Sequence, residues 1–100
     1  MSRSIIYAPE ARAQLLQFQN YIGQAASPEI ARDYVKAIVA RCDGLADFPD
    51  RGTPRDDLRP SLRTIPFRRR VTIAYSVEPN EVTILGIFYG GQDFEEILKG

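Results

Sequence analysis

The chain of 100 residues contains no histidine. It therefore lacks the commonest general base near neutral pH, which is also the commonest metal ligand. Tryptophan is absent, and Cys42 is the only cysteine. One cysteine cannot close an internal disulfide, and a structural zinc site needs several ligands. Cys42 falls at a helix-core spacing and reads as a small buried hydrophobe. No apolar run approaches the roughly 20 residues of a membrane-spanning helix. Residues 1–7 hold no signal-peptide apolar region, so a cytoplasmic location is expected. Lysine is scarce: Lys36 and Lys99 are the only two among thirteen basic residues, and the rest are arginine. Gly90-Gly91 lacks a P-loop lysine and any Gly-x-Gly-x-x-Gly pattern, so a strand-end turn explains it better than a phosphate cradle. Asp56-Asp57 sits between Arg55 and Arg59 and reads as salt-bridged, not as a metal pair. Ser61 and Ser76 have no His or Lys at triad spacing. No cofactor and no metal are expected.

A chain of this size forms one domain, residues 1–100, with one modest core. Hydrophobic content of 44% and charged content of 26% are ordinary for a globular domain. Residues 62–89 organise it. Val71, Ile73, Tyr75 and Val77 alternate with Arg70, Thr72, Ala74 and Ser76, a strand with one face on a core. Residues 78–81 (Glu-Pro-Asn-Glu) make a turn. Residues 82–89 form a second strand, apolar on both faces and so expected inside the sheet. A four-residue loop places Val77 opposite Val82, Tyr75 opposite Ile84, Ile73 opposite Gly86 and Val71 opposite Phe88. The same register puts Arg70 opposite Tyr89 on the other face. Leu62–Phe67 is a shorter strand, placed at an edge by Pro66, which cannot donate to a ladder.

Two helices precede this sheet. Pro9 and Glu10 open the first, and Ala11, Leu15, Phe18 and Ile22 form its buried stripe. Gly23 reads as its stop. Ser27-Pro28-Glu29 is a stronger start, with a hydroxyl cap, Pro at the first position and Glu in the first turn. Ala31, Val35, Ile38, Cys42 and Leu45 form the second stripe. Residues 4–8 read as a first strand of undetermined direction. Residues 47–60 read as a loop anchored by Phe48 and Leu58. After the sheet, Asp93 reads as the cap of a short final turn carrying Phe94, Ile97 and Leu98. The order β-α-α-β-β-β puts a helical hairpin on a mostly antiparallel sheet, an α+β fold. One core is expected from Ala11, Leu15, Phe18, Ile22, Val35, Ile38, Cys42, Leu45, Ile73, Tyr75, Ile84 and Phe88.

The formal net charge is zero, but residues 51–70 carry seven arginines against Asp56 and Asp57. Arginine suits bidentate recognition of carboxylate or phosphate. A solvated, salt-bridged face is the plain reading. A docking surface for an acidic partner segment comes next, and direct nucleic-acid binding last.

Taken in order, YAPEARAQLLQFQNYI, ASPEIARDYVKAIVARCDGLADFPDRG, RDDLRPSLR and ILGIFYGGQDFEEIL resemble the RelE/ParE family of small bacterial toxins. The resemblance covers nearly the whole chain and is closer to the ParE branch. It implies a cognate antitoxin, often a ribbon-helix-helix DNA-binding dimer whose disordered tail folds across the toxin. Nucleic acid would then be met only through the antitoxin or the target. RelE-type members cut messenger RNA on the ribosome with Lys, Arg and Tyr side chains. Those positions fall here at Arg59, Ser61, Thr72, Gln92 and Leu98, and only Arg59 keeps a charge. A register slip would bring Arg63, Arg70 or Tyr89 closer. ParE-type members are described as DNA gyrase inhibitors, so gyrase inhibition without catalysis is the expectation, with ribosome-dependent mRNA cleavage as the alternative. Arg59, Arg63 and Arg70 are expected to bind the antitoxin by charge and Tyr21 and Tyr34 by packing. Phe94, Ile97 and Leu98 are expected to meet the target.

Overall fold

In the computed structural model, which describes residues 3–90 and 94–99, two helices lie on one face of a five-stranded sheet. Helix α1 spans Pro9–Ala25 and α2 Pro28–Asp43. Strands β1 (Ser4–Tyr7), β2 (Thr53–Pro54), β3 (Leu62–Phe67), β4 (Val71–Val77) and β5 (Glu81–Tyr89) are followed by the short α3 (Phe94–Leu98). The sheet order is β1-β5-β4-β3-β2. Strand β1 runs parallel to β5, while the other neighbours are antiparallel. This is the expected α+β architecture, and β5 lies inside the sheet as its two apolar faces require.

The caps follow the sequence at one end and depart from it at another. Ser27 Oγ accepts the Ile30 N–H at 3.1 Å, so α2 starts where its cap residue dictates. Gly23 does not end α1. The helix runs two residues further, and a side chain at Gly23 would make only ordinary contact with Ala31. Strand β3 is nearly an edge. Only the two-residue β2 covers it, at Arg63 and Thr64, so Pro66 gives up no ladder bond on that side. Phe48 does not anchor the loop. It is 61% exposed with Arg51 over its ring, and neighbouring Pro49 is buried instead. Leu58 does pack inward, against the outer apolar cluster.

Register holds as expected from Val77 opposite Val82 to Tyr75 opposite Ile84, and then slips. Ala74 pairs with Gly86, Ile73 with Ile87, Thr72 with Phe88 and Val71 with Tyr89. Leu85 is left without a partner on β4, so β5 carries a bulge there. One extra residue reverses the facing of everything beyond it. Ile87 therefore joins the helix-side core, and Phe88 leaves it. Of the twelve expected core residues none is exposed, but Phe88 packs on the opposite face with Leu62, Ala74 and Leu98. Arg70 does not oppose Tyr89. Its carbonyl accepts the Gly90 N–H at 2.6 Å, closing the ladder one step further out.

Cys42 and Tyr7 are ionisable groups that the helix-side core holds neutral. Burial pushes the Cys42 thiol up to about 11. Burial also raises the Tyr7 hydroxyl, with the neighbouring Cys42 thiol as the next cause. A value raised in the folded state means that folding favours the protonated form. The resulting stability is complete below pH 9, the ordinary thiol value, and is lost as pH rises through about 11. For one such group the loss is about 1.4 kcal/mol per pH unit across that window. Urea midpoints should thus fall between pH 8 and about pH 10.5, and Cys42→Ala should flatten part of that slope. An unchanged slope in the variant would show that Cys42 does not titrate with unfolding.

Candidate functional site

Three of the five expected antitoxin contacts come together on one surface, at the end of the sheet where β3 turns into β4. Tyr21, on α1, is 62% exposed, and its ring lies 6.4 Å from that of Tyr89 on β5. Phe18, one helical turn before Tyr21, meets the same Tyr89 ring edge-on at 5.3 Å. With Gln14, Gln17 and Ile87 these residues line a cleft between α1 and β5. Strand β1 stops at Tyr7, opposite Ile84, and the Gln14 side chain takes over beyond it. Gln14 Oε1 accepts the Ile87 N–H at 2.7 Å. Sequence reasoning missed Gln14, since a glutamine on a helix carries no mark of such a bond.

Tyr34, on α2, continues the surface. Its ring meets Phe67 edge-on at 5.6 Å, and the Arg68 guanidinium lies over both rings, 5.3 Å from Tyr34 and 5.0 Å from Phe67. Arg41 adds a second cation, 5.6 Å from the Phe67 ring and bonded to the Pro66 carbonyl at 3.1 Å. Such stacks hold a guanidinium in place while leaving it charged. The Tyr34 hydroxyl is raised by burial first and by Tyr89 next, and lowered by Arg68 and Arg70, so all three neighbours act on it.

The turn that carries these cations is tight. Residues 68–70 bridge Phe67 and Val71, and the Arg70 N–H donates to the Arg68 carbonyl at 2.8 Å. Arg68 and Arg69 adopt left-handed backbone, with φ of 48° and 69°. A residue with a Cβ pays roughly 1–2 kcal/mol for that conformation, and turns of this kind normally use Asn or Gly. Arg68 was missed by the sequence reading, although three consecutive arginines between two strands were the available clue.

Arg59 and Arg63 lie apart from this surface and are tied to the fold. Arg59 Nε donates to the Leu98 carbonyl at 2.7 Å. Arg63 donates to the carbonyls of Gly52 at 2.7 Å and Asp50 at 3.2 Å. Arg55 pairs with Asp57 and Glu95 and lies over the Phe94 ring, so it pins α3 to the loop. Its pairing holds the Asp57 carboxyl below the ordinary range. Of the expected target contacts, Ile97 is 58% exposed, Phe94 is half-buried and Leu98 is buried at 4%. Phe94 and Leu98 cover the outer face of the sheet over Phe88 and Leu62.

The described RelE-type positions are spread over core, loop and sheet. Leu98 is core, Arg59 is bonded to its carbonyl, and Thr72 sits half-buried opposite Phe88. Ser61 adopts φ of 64° and its N–H donates to Asp56. Gly91, Gln92 and Asp93 lie outside the described residues. Among the described residues no group of three His, Cys, Asp or Glu side chains could hold a metal ion, and no helix is long and apolar enough to cross a membrane.

A family model described as the ParE toxin of the type II toxin-antitoxin system, parDE, matches residues 5–94. The chain belongs to the ParE toxin family. No curated protein matches it. Among solved structures it is similar to a chain from the chromosomal ParDE toxin–antitoxin system of P. aeruginosa. That likeness has a TM-score of 0.77 at 24% identity and covers 89% of this chain and 97% of the other. It confirms the fold: a helical hairpin on a mostly antiparallel sheet.

Proposed function

We propose that this ParE-family toxin acts in the cytoplasm by binding DNA gyrase, and that a cognate antitoxin, of ribbon-helix-helix type, neutralises it. One observation carries the choice of a binding mechanism. The positions that a RelE-type nuclease fills with charge hold a buried Leu98, a half-buried Thr72 and an Arg59 tied to backbone. Cleavage of RNA by 2′-hydroxyl attack needs a proton acceptor, a proton donor and charge stabilisation of the phosphorane. A toxin without that chemistry acts through differential affinity, by holding an essential enzyme in one of its states.

The antitoxin contact is assigned to the surface of Tyr21, Tyr34 and Arg70, where the exposed Tyr21 ring supplies an apolar anchor beside the half-buried Tyr34 and arginine orients a carboxylate. Arg59 and Arg63 contribute charge at the far end of the toxin. Ile97, with the exposed part of Phe94, is assigned to the target, and Leu98 supports them from the outer core. Inducing the toxin without its antitoxin should produce DNA-damage signalling and stalled division while bulk messenger RNA stays intact. The purified protein should slow gyrase supercoiling or trap cleaved DNA, and the product of the neighbouring gene should co-purify with it. Rapid ribosome-dependent mRNA cutting would reject the gyrase reading in favour of the nuclease alternative.

A further inference from the structure

Arg69 and Arg70 make no side-chain hydrogen bond or ion pair with any described residue. Arg68 and Arg41 are stacked on rings but equally lack a carboxylate partner among the described residues. Among the described residues, four arginines thus share one end of the sheet with no acidic side chain in ion-pair distance, in a protein of zero net charge. Arg68 offsets its left-handed backbone by stacking on Tyr34 and Phe67, but Arg69 is exposed and gains no such contact among the described residues. A residue that breaks a local rule without structural gain points to function.

We propose that the 68–70 hairpin, with Arg41 behind it, is a sequence-independent contact to the phosphate backbone of duplex DNA. The choice of phosphate stands on the hairpin alone. The choice of DNA over RNA rests on the gyrase reading, since gyrase holds a DNA segment that a bound toxin could touch. A peptide partner would draw most of its affinity from apolar anchors. The hairpin offers none, because Phe67 is buried and guanidinium groups cover both its ring and that of Tyr34. Occupied ring faces also disfavour the base stacking that single strands use. What remains is fixed positive charge at a turn, which suits phosphates and specifies no base. An antitoxin seated on Tyr21 and Tyr34 would cover Arg70 and compete with DNA for this end of the toxin.

The test is fluorescence anisotropy of a labelled 20-base-pair DNA duplex titrated with purified toxin across a salt series. Three phosphate contacts predict a slope of about −3 in log K against log salt, falling to about −1 in the double variant R69G/R70Q. Glycine at position 69 relaxes the backbone, so the variant should melt no lower than the parent, and loss of binding then reports charge, not unfolding. Equal binding and slope in parent and variant would overturn the proposal. So would competition by poly-glutamate as effective as by unlabelled DNA, which would make the partner an acidic protein. Tighter binding of an RNA duplex of the same sequence would overturn the assignment to DNA. A gyrase assay run in parallel separates the two readings. DNA binding without any effect on gyrase leaves the hairpin contact standing and sinks the gyrase target. Gyrase inhibition by a toxin that does not bind DNA does the reverse.

Discussion

Gly52→Ala should destabilise the fold by about 3 kcal/mol or more, because its new methyl group has nowhere to go. A Cβ on Gly52 would lie 2.6 Å from the Tyr75 hydroxyl, 2.7 Å from the Thr64 carbonyl oxygen and 2.8 Å from Ile65 Cγ2. All three contacts are with sheet backbone or buried core side chains, so the segment carrying Gly52 must move instead. Moving it breaks what it is there to make. The Gly52 N–H donates to the Tyr75 hydroxyl at 3.0 Å, and that hydroxyl donates to the Pro49 carbonyl at 2.8 Å. Tyr75 is fully buried, so these are the bonds that compensate its desolvation. The Gly52 carbonyl in turn accepts from Arg63. Tyr75→Phe removes the hydroxyl but not the ring and should cost less, about 1–3 kcal/mol, since it orphans one N–H and one carbonyl. The double variant should fall well short of the sum, because both changes break the same bridge. Urea denaturation of the two singles and the double measures this directly. A strictly additive result would show that Gly52 is required for reasons other than its approach to Tyr75.

That bridge was illegible in the sequence, as was the slip in β5, and for related reasons. Helix starts were readable because their chemistry is local: Ser27 caps a backbone N–H three residues on. Strand β4 was readable because its polar and apolar residues alternate. Strand β5 carries Ile84, Leu85, Gly86, Ile87 and Phe88 in succession, with no polar residue to mark which face is which, so an inserted residue leaves no trace in the pattern. The four residues of β1 are too few to announce a parallel direction. Only the pairing of Ser4 with Glu81 through Tyr7 with Ile84 fixes it. The candidate site was legible to the same degree. Tyr21, Tyr34 and Arg70 could be put forward from aromatic character and charge, and the structure brings them to one surface. That Arg59 and Arg63 belong elsewhere depends on carbonyls of Leu98, Asp50 and Gly52, which no side-chain pattern reports.

Deleting Ala74 should abolish cooperative folding, while deleting Leu85, from the neighbouring strand, should leave the protein folded. Removing one residue from a central strand ordinarily puts everything beyond it on the wrong face. In β4, loss of Ala74 would set Ile73 next to Tyr75, so that either Val71 and Ile73 or Tyr75 and Val77 leave the helix-side core. Val71, Ile73 and Tyr75 are each at most 1% exposed. Exposing two such side chains costs about 1.5–3 kcal/mol apiece, against a total stability of about 5–15 kcal/mol for a domain. In β5 the arithmetic reverses, because Leu85 is itself the surplus residue. Without it, Gly86 follows Ile84 directly, and the pairs Tyr75 with Ile84, Ala74 with Gly86 and Ile73 with Ile87 become an unbroken ladder. Ile84 and Ile87 keep the helix side and Phe88 keeps the outer side. The loss is then the contact of one half-buried leucine with the outer cluster, about 1–2 kcal/mol. Circular dichroism and urea denaturation of both deletions decide the matter. Unfolding of both chains would mean that the bulge, and the extra twist it gives the strand beside the α1 cleft, is required for the sheet to close under the helices.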